Sequence, residues 1–244
     1  MLIAIDGTSL YWDHEKYRQQ MRGSLINELD ATTREPHHRY LRGPTTSGVQ
    51  DRWIADEALG SIREWVRRGD RRVVLAGYSR GGAVAIYVAR RLQREDWARE
   101  LKVACLALFD AVDRDLVLNA TTIPGNVEHA YHALRDPRVG SRSYFGNCGE
   151  TIDHPGKLIR HRFFGTHAAM GGLPFTGDHP LHEEAAMGLT ELPYSVVASA
   201  RIAAPGMVDE RPRLVPITHA QDQAAAAAVK QWMWGHLRAH GVVA

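Results

Sequence analysis

Residues 75–85 read LAGYSRGGAVA, and the fold turns on how Ser79 is read. An apolar, β-branched run, Val73–Ala76, precedes it. From Gly81 to Arg94, Val84, Val88 and Leu92 recur at i+4 with small alanines between them. The first run is a buried parallel strand by its continuity, and the second is a helix by its period. A Gly-x-Ser-x-Gly match alone is not specific. Placed between a strand and a helix, it fits a nucleophile elbow, a sharp turn that strains the serine backbone and pushes its hydroxyl into the open. Gly77 and Gly81 then avoid side-chain clashes where strand and helix crowd together. The helix N-terminus directs its partial positive charge and first amides at the site. A serine N-cap on a glycine-rich turn is the competing reading.

Outward from the elbow, strands and helices alternate. Leu2–Ile5 reads as a buried strand that ends at Asp6-Gly7. Tyr17, Met21, Leu25 and Leu29 predict one helix over Glu15–Asp30, and His38–Leu41 a second strand. Gly43 to Gly48 is a loop, and Ile54, Ala58, Ile62 and Trp65 mark a helix from Asp51 that Gly69 stops. Leu101–Phe109 is another apolar strand. The order strand, helix, strand, helix, strand, helix, strand predicts an α/β layer fold with a mainly parallel sheet. Beyond Asp115, Val127–Leu134 reads as a helix, Arg160–Phe164 as a strand and Gly165–Gly177 as a loop. Glu183–Leu189, Pro193–Ala204 and Ala224–His240 read as helices, the last striped by Val229, Met233 and Leu237. No repeat or linker interrupts the chain, so residues 1–244 are read as a single domain.

Composition narrows the function classes. The chain is 44% hydrophobic and 24% charged, with a net charge of +2. That balance demands no anionic partner. The run Arg67-Arg68-Gly69-Asp70-Arg71-Arg72 has no interleaved aromatics and reads as a solvated turn, so no nucleic acid is expected. Cys105 and Cys148 are the two cysteines and carry no zinc-type spacing. The start, MLIAIDGTSL, lacks a basic, apolar leader. No apolar run approaches the roughly 20 residues that span a bilayer. A cytoplasmic location is the default expectation, with a signal-independent secretion route left open. Peripheral membrane contact and oligomeric state are also open.

A serine hydroxyl becomes a good nucleophile when a histidine, itself oriented by a carboxylate, takes its proton. In α/β hydrolases the partners follow in the order Ser, acid, His. Asp110 closes the strand after the elbow, at the sheet edge where such folds place ligands; Asp113 and Asp115 are rivals further into the loop. Thirteen histidines compete for the base. His167, in RFFGTHAAMGG, lies at a strand end beyond the acid. An oxyanion hole needs two amide donors. Arg80 follows the serine and supplies one, and the Gly7-Thr8 turn after the first strand is the candidate for the other. Two rivals remain. Glu128-His129 with His132, or Asp178-His179 with His182, offer metal ligands at helical spacing, although surface histidines account for both, and neither a metal nor another cofactor is expected. A non-catalytic α/β binding or scaffolding domain with a relic elbow is the other.

Taken in order, IAIDGT, YLRGPTTSG, RRGDRRVVLAGYSRGGAVA, FDAV, FFGTHAAMGG and SVVASARIAAPGM resemble the bacterial and fungal α/β-hydrolase-like domain family that includes type VI secretion phospholipase effectors. The resemblance spans Ile3 to Met207. Two departures stand out: Ala168-Ala169 follow the histidine where the family carries an aspartate, and Gly82 stands where an alanine is usual. The resemblance implies an α/β-hydrolase-like fold with Ser79 as nucleophile, Asp110 as acid and His167 as base. It also implies hydrolysis of carboxylic esters, phospholipids among them.

Overall fold

The computed structural model describes residues 1–9, 11–45, 49–113, 118–139, 146–174 and 215–244. Its centre is a six-stranded sheet in the order β2-β1-β3-β4-β6-β8. The strands are β1 (Leu2–Ile5), β2 (His38–Leu41), β3 (Arg72–Tyr78), β4 (Lys102–Phe109), β6 (His129–Arg135) and β8 (Lys157–Phe163). Every neighbouring pair is parallel. A separate two-stranded sheet joins β5 (Thr122–Ile123) to β7 (Thr151–Ile152). The helices are α1 (His14–Met21), α2 (Leu25–Thr32), α3 (Asp51–Arg67), α4 (Arg80–Arg94), the single turn α5 (His167–Met170) and α6 (His219–Ala239). This is the α/β layer fold with a parallel sheet that the strand and helix alternation predicted, and it is consistent with the α/β-hydrolase-like class that the resemblance implied.

Two-residue alternation along the strands divides the core into two layers. Ile3, Ile5, Val73, Leu75, Leu106 and Leu108 face α3 and α4. Leu2, Ala4, Val74, Ala76, Ala107 and Phe109 face α2, α5 and α6. The register slips by one residue where Val73 pairs with Val103 and Val74 with Cys105. That slip lets Val103 and Leu106 share one layer although they lie three apart. The central strands, buried on both faces, are the continuous apolar runs seen in the sequence. Edge strand β8, KLIRHRF, is mostly exposed and carries Lys157, Arg160 and Arg162. Such charge discourages another strand from adding to an open edge.

Two expectations need correction. The helix expected over Glu15–Asp30 is two helices, broken at Arg22-Gly23-Ser24. Ser24 caps α2 by accepting from Asn27 N–H at 3.1 Å, and its hydroxyl donates to Asp6. The i+4 pattern hid the break because Met21, Leu25 and Leu29 stay buried across it. The helix expected over Val127–Leu134 is strand β6, inserted between β4 and β8. Sheet pairing overrides the helix propensity of its Ala and Leu. The expected loop at Gly165–Gly177 contains α5, and residues 175–214 lie outside the described residues, with them the helices expected at Glu183–Leu189 and Pro193–Ala204.

The C-terminal helix forms as its stripe predicts, with Val229, Met233 and Leu237 fully buried. It starts at a reciprocal capping box, in which Thr218 accepts from Gln221 N–H and the Gln221 side chain accepts from Thr218 N–H. Cys105 and Cys148 are both free and buried. Among the described residues, no helix is long and apolar enough to cross a membrane. Thr218→Ala, which removes one side of the capping box, is expected to lower stability by about 1 kcal/mol and the melting temperature by roughly 2–4 °C in a thermal melt.

Candidate active site

The chain runs outward from β1 to β2, then returns to place β3 on the other side of β1. Strand order therefore reverses between β1 and β3, and a crevice opens at their C-terminal ends. Asp6-Gly7 leaves β1 there, and Ser79 leaves β3. Ser79 sits at φ 55°, ψ −128°, a backbone state that L-residues avoid. Its N–H donates to Phe109 O at 2.9 Å, and its own carbonyl accepts from Gly82 and Val112 N–H, both at 3.0 Å. The flanking glycines are required by contact. A Cβ on Gly77 would lie 2.4 Å from Gly81 O, and one on Gly81 would lie 2.3 Å from Asp6 O. Helix α4 starts at the next residue, so its N-terminus begins beside Ser79.

The three side chains expected at this edge are brought together. Asp110 ends β4, fully buried, at φ 46°. His167 is the first residue of α5. Its Nδ1 lies 2.7 Å from Asp110 Oδ2, and its Nε2 lies 2.9 Å from Ser79 Oγ. A charged carboxylate only accepts hydrogen bonds, so the ring proton sits on Nδ1 and Nε2 is left to accept from the serine hydroxyl. Tyr78 supports the ring twice: the two rings stack at 5.2 Å, and the Tyr78 hydroxyl donates to His167 O at 3.1 Å. Thr166, the cap of α5, is gripped by Asp222 of α6, which accepts from its N–H at 2.7 Å and its hydroxyl at 3.0 Å.

Asp110 carries more partners than His167. Arg135 Nη1 donates to Oδ2 at 2.5 Å, and Asn147 Nδ2 donates to Oδ1 at 2.8 Å. Burial alone would raise the Asp110 carboxyl. The Arg135 guanidinium and the hydrogen-bonded His167 outweigh burial and hold it well below the usual carboxylate range. His132 fixes the next residue. Ala111 N–H donates to His132 Nε2 at 3.0 Å, and His132 Nδ1 donates to Gly149 O at 3.2 Å.

The turn after β1 is as firmly held. Asp6 accepts from Ser24 and Tyr40 hydroxyls, at 2.5 and 2.9 Å, and from Gly7 N–H at 2.8 Å. With no cation among these partners, burial pushes its carboxyl up to about 6 despite the hydrogen bonds. The Tyr17 hydroxyl donates to Gly7 O at 2.8 Å and accepts from Gly43 N–H at 2.6 Å. A Cβ on Gly7 would come within 3.4 Å of Ser79 Cβ, so this turn lies against the serine. The Gly7 amide is nevertheless committed to Asp6, which corrects its expected role as an oxyanion donor. The Gly7 carbonyl is held by Tyr17, and the amide of the same trans peptide, that of Thr8, points the opposite way. Arg80 was singled out for its amide. Its side chain is also buried and reaches Thr45 O at 2.9 Å and Asp51, 4.0 Å away, at the start of α3.

Sequence reading missed Arg135, Asn147, His132 and Asp222. The signal for the first was the polar end of HALRDP, a strand that reads as a helix out of context. Asp222 lies 56 residues from Thr166, beyond the reach of local pattern. The helical spacing behind the Glu128, His129 and His132 metal reading disappears because the segment is β6. Among the described residues, no group of three potential ligands could hold a metal ion. Asp178, His179 and His182 lie outside the described residues.

No family model matches the chain, and no curated protein does. Among solved structures, it is similar to the Tle1 effector bound to the VgrG spike of the type 6 secretion system. The TM-score is 0.41 and the identity 14%, over 74% of this chain and 52% of that one. An uncharacterized protein from Pseudomonas aeruginosa aligns with a TM-score of 0.28 and 16% identity, over 75% of this chain and 32% of that one. The chain thus spans about half the length of the first and a third of the second. Neither likeness bears on what the site does.

Burial depresses the His132 imidazole from 6.5 to about 4, against the opposing pull of Asp110. The folded protein then binds fewer protons than the unfolded chain across that window. Stability is full above pH 6.5 and is lost as pH falls toward 4, by about 3 kcal/mol in all. Urea unfolding of wild type and His132→Gln between pH 4 and 7 checks this: the variant is expected to show a shallower loss on acidification.

Proposed function

We propose that this chain is a serine hydrolase that cleaves carboxylic (acyl) esters through an acyl-enzyme. The observation that carries the reading is the continuous hydrogen-bonded line from Ser79 Oγ through His167 to Asp110, with contacts of 2.9 and 2.7 Å. In the first step Ser79 Oγ attacks the ester carbonyl while His167 Nε2 takes the hydroxyl proton. Negative charge gathers on the former carbonyl oxygen. The donors assigned to it are the amides of Thr8 and Arg80, aided by the N-terminus of α4. Asp110 orients His167 and stabilises the imidazolium. That imidazolium passes its proton to the leaving alkoxide as the tetrahedral species collapses, which leaves the acyl group on Ser79. Water enters next, gives a proton to His167 Nε2 and attacks the acyl carbon. Collapse of the second tetrahedral species frees the carboxylic acid and returns the proton to Ser79.

Phospholipid is the finer substrate assignment. Tyr11 and Trp12 in the turn after β1, and Val49 and Trp53 around the start of α3, are exposed. These segments follow the C-terminal ends of β1 and β2, the same sheet edge as Ser79. Large apolar groups there suit a substrate presented at a lipid–water boundary.

A fluorophosphonate probe is expected to label Ser79 in wild type and to leave Ser79→Ala unlabelled. Ser79→Ala and His167→Ala are each expected to lower kcat for an activated ester by roughly 10⁴-fold or more, and an Asp110→Asn change by a similar factor. A folded Ser79→Ala protein with full esterase activity would falsify the assignment. The substrate class is checked by comparing a soluble short-chain ester with phosphatidylcholine vesicles; faster turnover of the vesicles, lost in Ser79→Ala, is the expected outcome.

A further inference from the structure

Oδ2 of Asp110 accepts two hydrogen bonds, from His167 Nδ1 at 2.7 Å and from Arg135 Nη1 at 2.5 Å. The carboxylate is fully buried, and the Arg135 side chain is 6% exposed. Orienting an imidazole needs one fixed oxygen, and Asn147 already fixes the other end of the carboxylate at 2.8 Å. What the guanidinium adds is charge. A lone carboxylate against a desolvated imidazole favours its protonated, cationic form. A second cation on the same oxygen opposes that preference, and arginine keeps its charge at every pH at which the protein is folded.

We propose that Arg135 is a positioning residue that holds down the basicity of His167 by taking up the charge of Asp110 through their shared Oδ2. The proposal rests on the reading of Ser79, Asp110 and His167 as a triad. It makes two demands on the same ring. His167 stays neutral, and so able to accept the Ser79 proton, to lower pH than the carboxylate alone would allow. The imidazolium formed during attack is also a stronger acid toward the leaving alkoxide.

Among the described residues, the other charged and titratable groups around the trio have hydrogen-bond or ion-pair partners of their own. From β6, His132 lies between Ala111 N–H and Gly149 O. From β8, Arg160 and Arg162 pair with Glu150. Asp136 pairs with Arg138, Asp222 binds Thr166, and Asp113 accepts from Ala120 N–H. Burial keeps the Cys148 thiol protonated. On the β3 side, the Tyr78 hydroxyl is bound to His167 O, the Arg80 side chain turns to Thr45, and Asp6 is held by Ser24 and Tyr40. Of all these groups, Arg135 is the cation that donates to Asp110. A unit charge about 5 Å from the ring, at an effective dielectric near 20, shifts its titration by on the order of two pH units.

The experiment is an NMR titration of the His167 ring, alongside the pH profile of kcat/KM. Removing the charge in Arg135→Gln is expected to raise the His167 midpoint, and the acidic limb of kcat/KM with it, by about two pH units. Asn147→Leu removes a neutral donor from the same carboxylate and is expected to move the midpoint by less than half a unit, whatever it does to the rate. A merely structural Arg135 would lower kcat and leave the midpoint in place, and that result overturns the proposal. Arg135→Gln leaves a buried charge unpaired and is at risk of not folding. Asp110→Asn with Arg135→Gln removes both charges together and keeps the test open. If the guanidinium offsets part of the carboxylate's pull, the midpoint falls less in this double variant than in Asp110→Asn alone; an equal fall in the two means that the carboxylate acts unopposed. The ring titrates whether or not esters are cleaved, so failure of the hydrolase reading and failure of this one give different results.

Discussion

Residue 79 holds a backbone conformation that costs about 1–3 kcal/mol for an L-amino acid, and the surrounding architecture serves to keep it there. Its amide is tied to β4 through Phe109, and its carbonyl is tied both to α4 through Gly82 and to the strand exit after β4 through Val112. Bare glycine surfaces let α4 descend onto β1 and β3 with backbone atoms in near contact. The all-parallel order places every relevant strand exit on one side. Release the strain at 79, and the hydroxyl would drop back into the turn, away from His167. Strand order, the elbow glycines and the buried α4 interface are thus conditions of one torsion angle.

Buried carboxylates around this edge show how partners decide the state of a charge. Asp6 and Asp110 are both fully buried at strand ends and both accept several hydrogen bonds. Asp6 has only neutral donors, and its carboxyl rises to about 6. Asp110 has a guanidinium and falls well below the ordinary range. Hydrogen-bond number does not separate them. The neighbouring formal charge does. One carboxylate organises a turn with hydroxyls and amides; the other, beside a guanidinium, is held toward its ionised form.

The sheet through β4 was legible because its strands are buried on both faces and its helices carry clean periods. Leu2–Ile5, for example, was read with the boundaries it has. Ser79, Asp110 and His167 were legible for a related reason: each lies where an apolar run stops. Reading failed where meaning depends on a partner far along the chain. The β6 segment holds Ala130, Ala133 and Leu134 and looks helical until β4 and β8 close on it. Its polar residues then become buried supports, Arg135 of Asp110 and His132 of the Ala111 amide beside it, rather than points on a helix surface. The break at Ser24 was invisible for the opposite reason, since the apolar spacing runs on unaltered while the backbone turns to deliver a hydroxyl to Asp6.

The grip of Asp222 on Thr166 bears on the order in which the three side chains come together. Ser79 and Asp110 belong to neighbouring strands and meet as soon as β3 and β4 pair. The imidazole is different: its turn is tethered to the last helix, so its place is secured only after residues 219–239 have docked. Until that helix docks, hydroxyl and carboxylate share one sheet edge while the loop that carries the ring lacks its anchor.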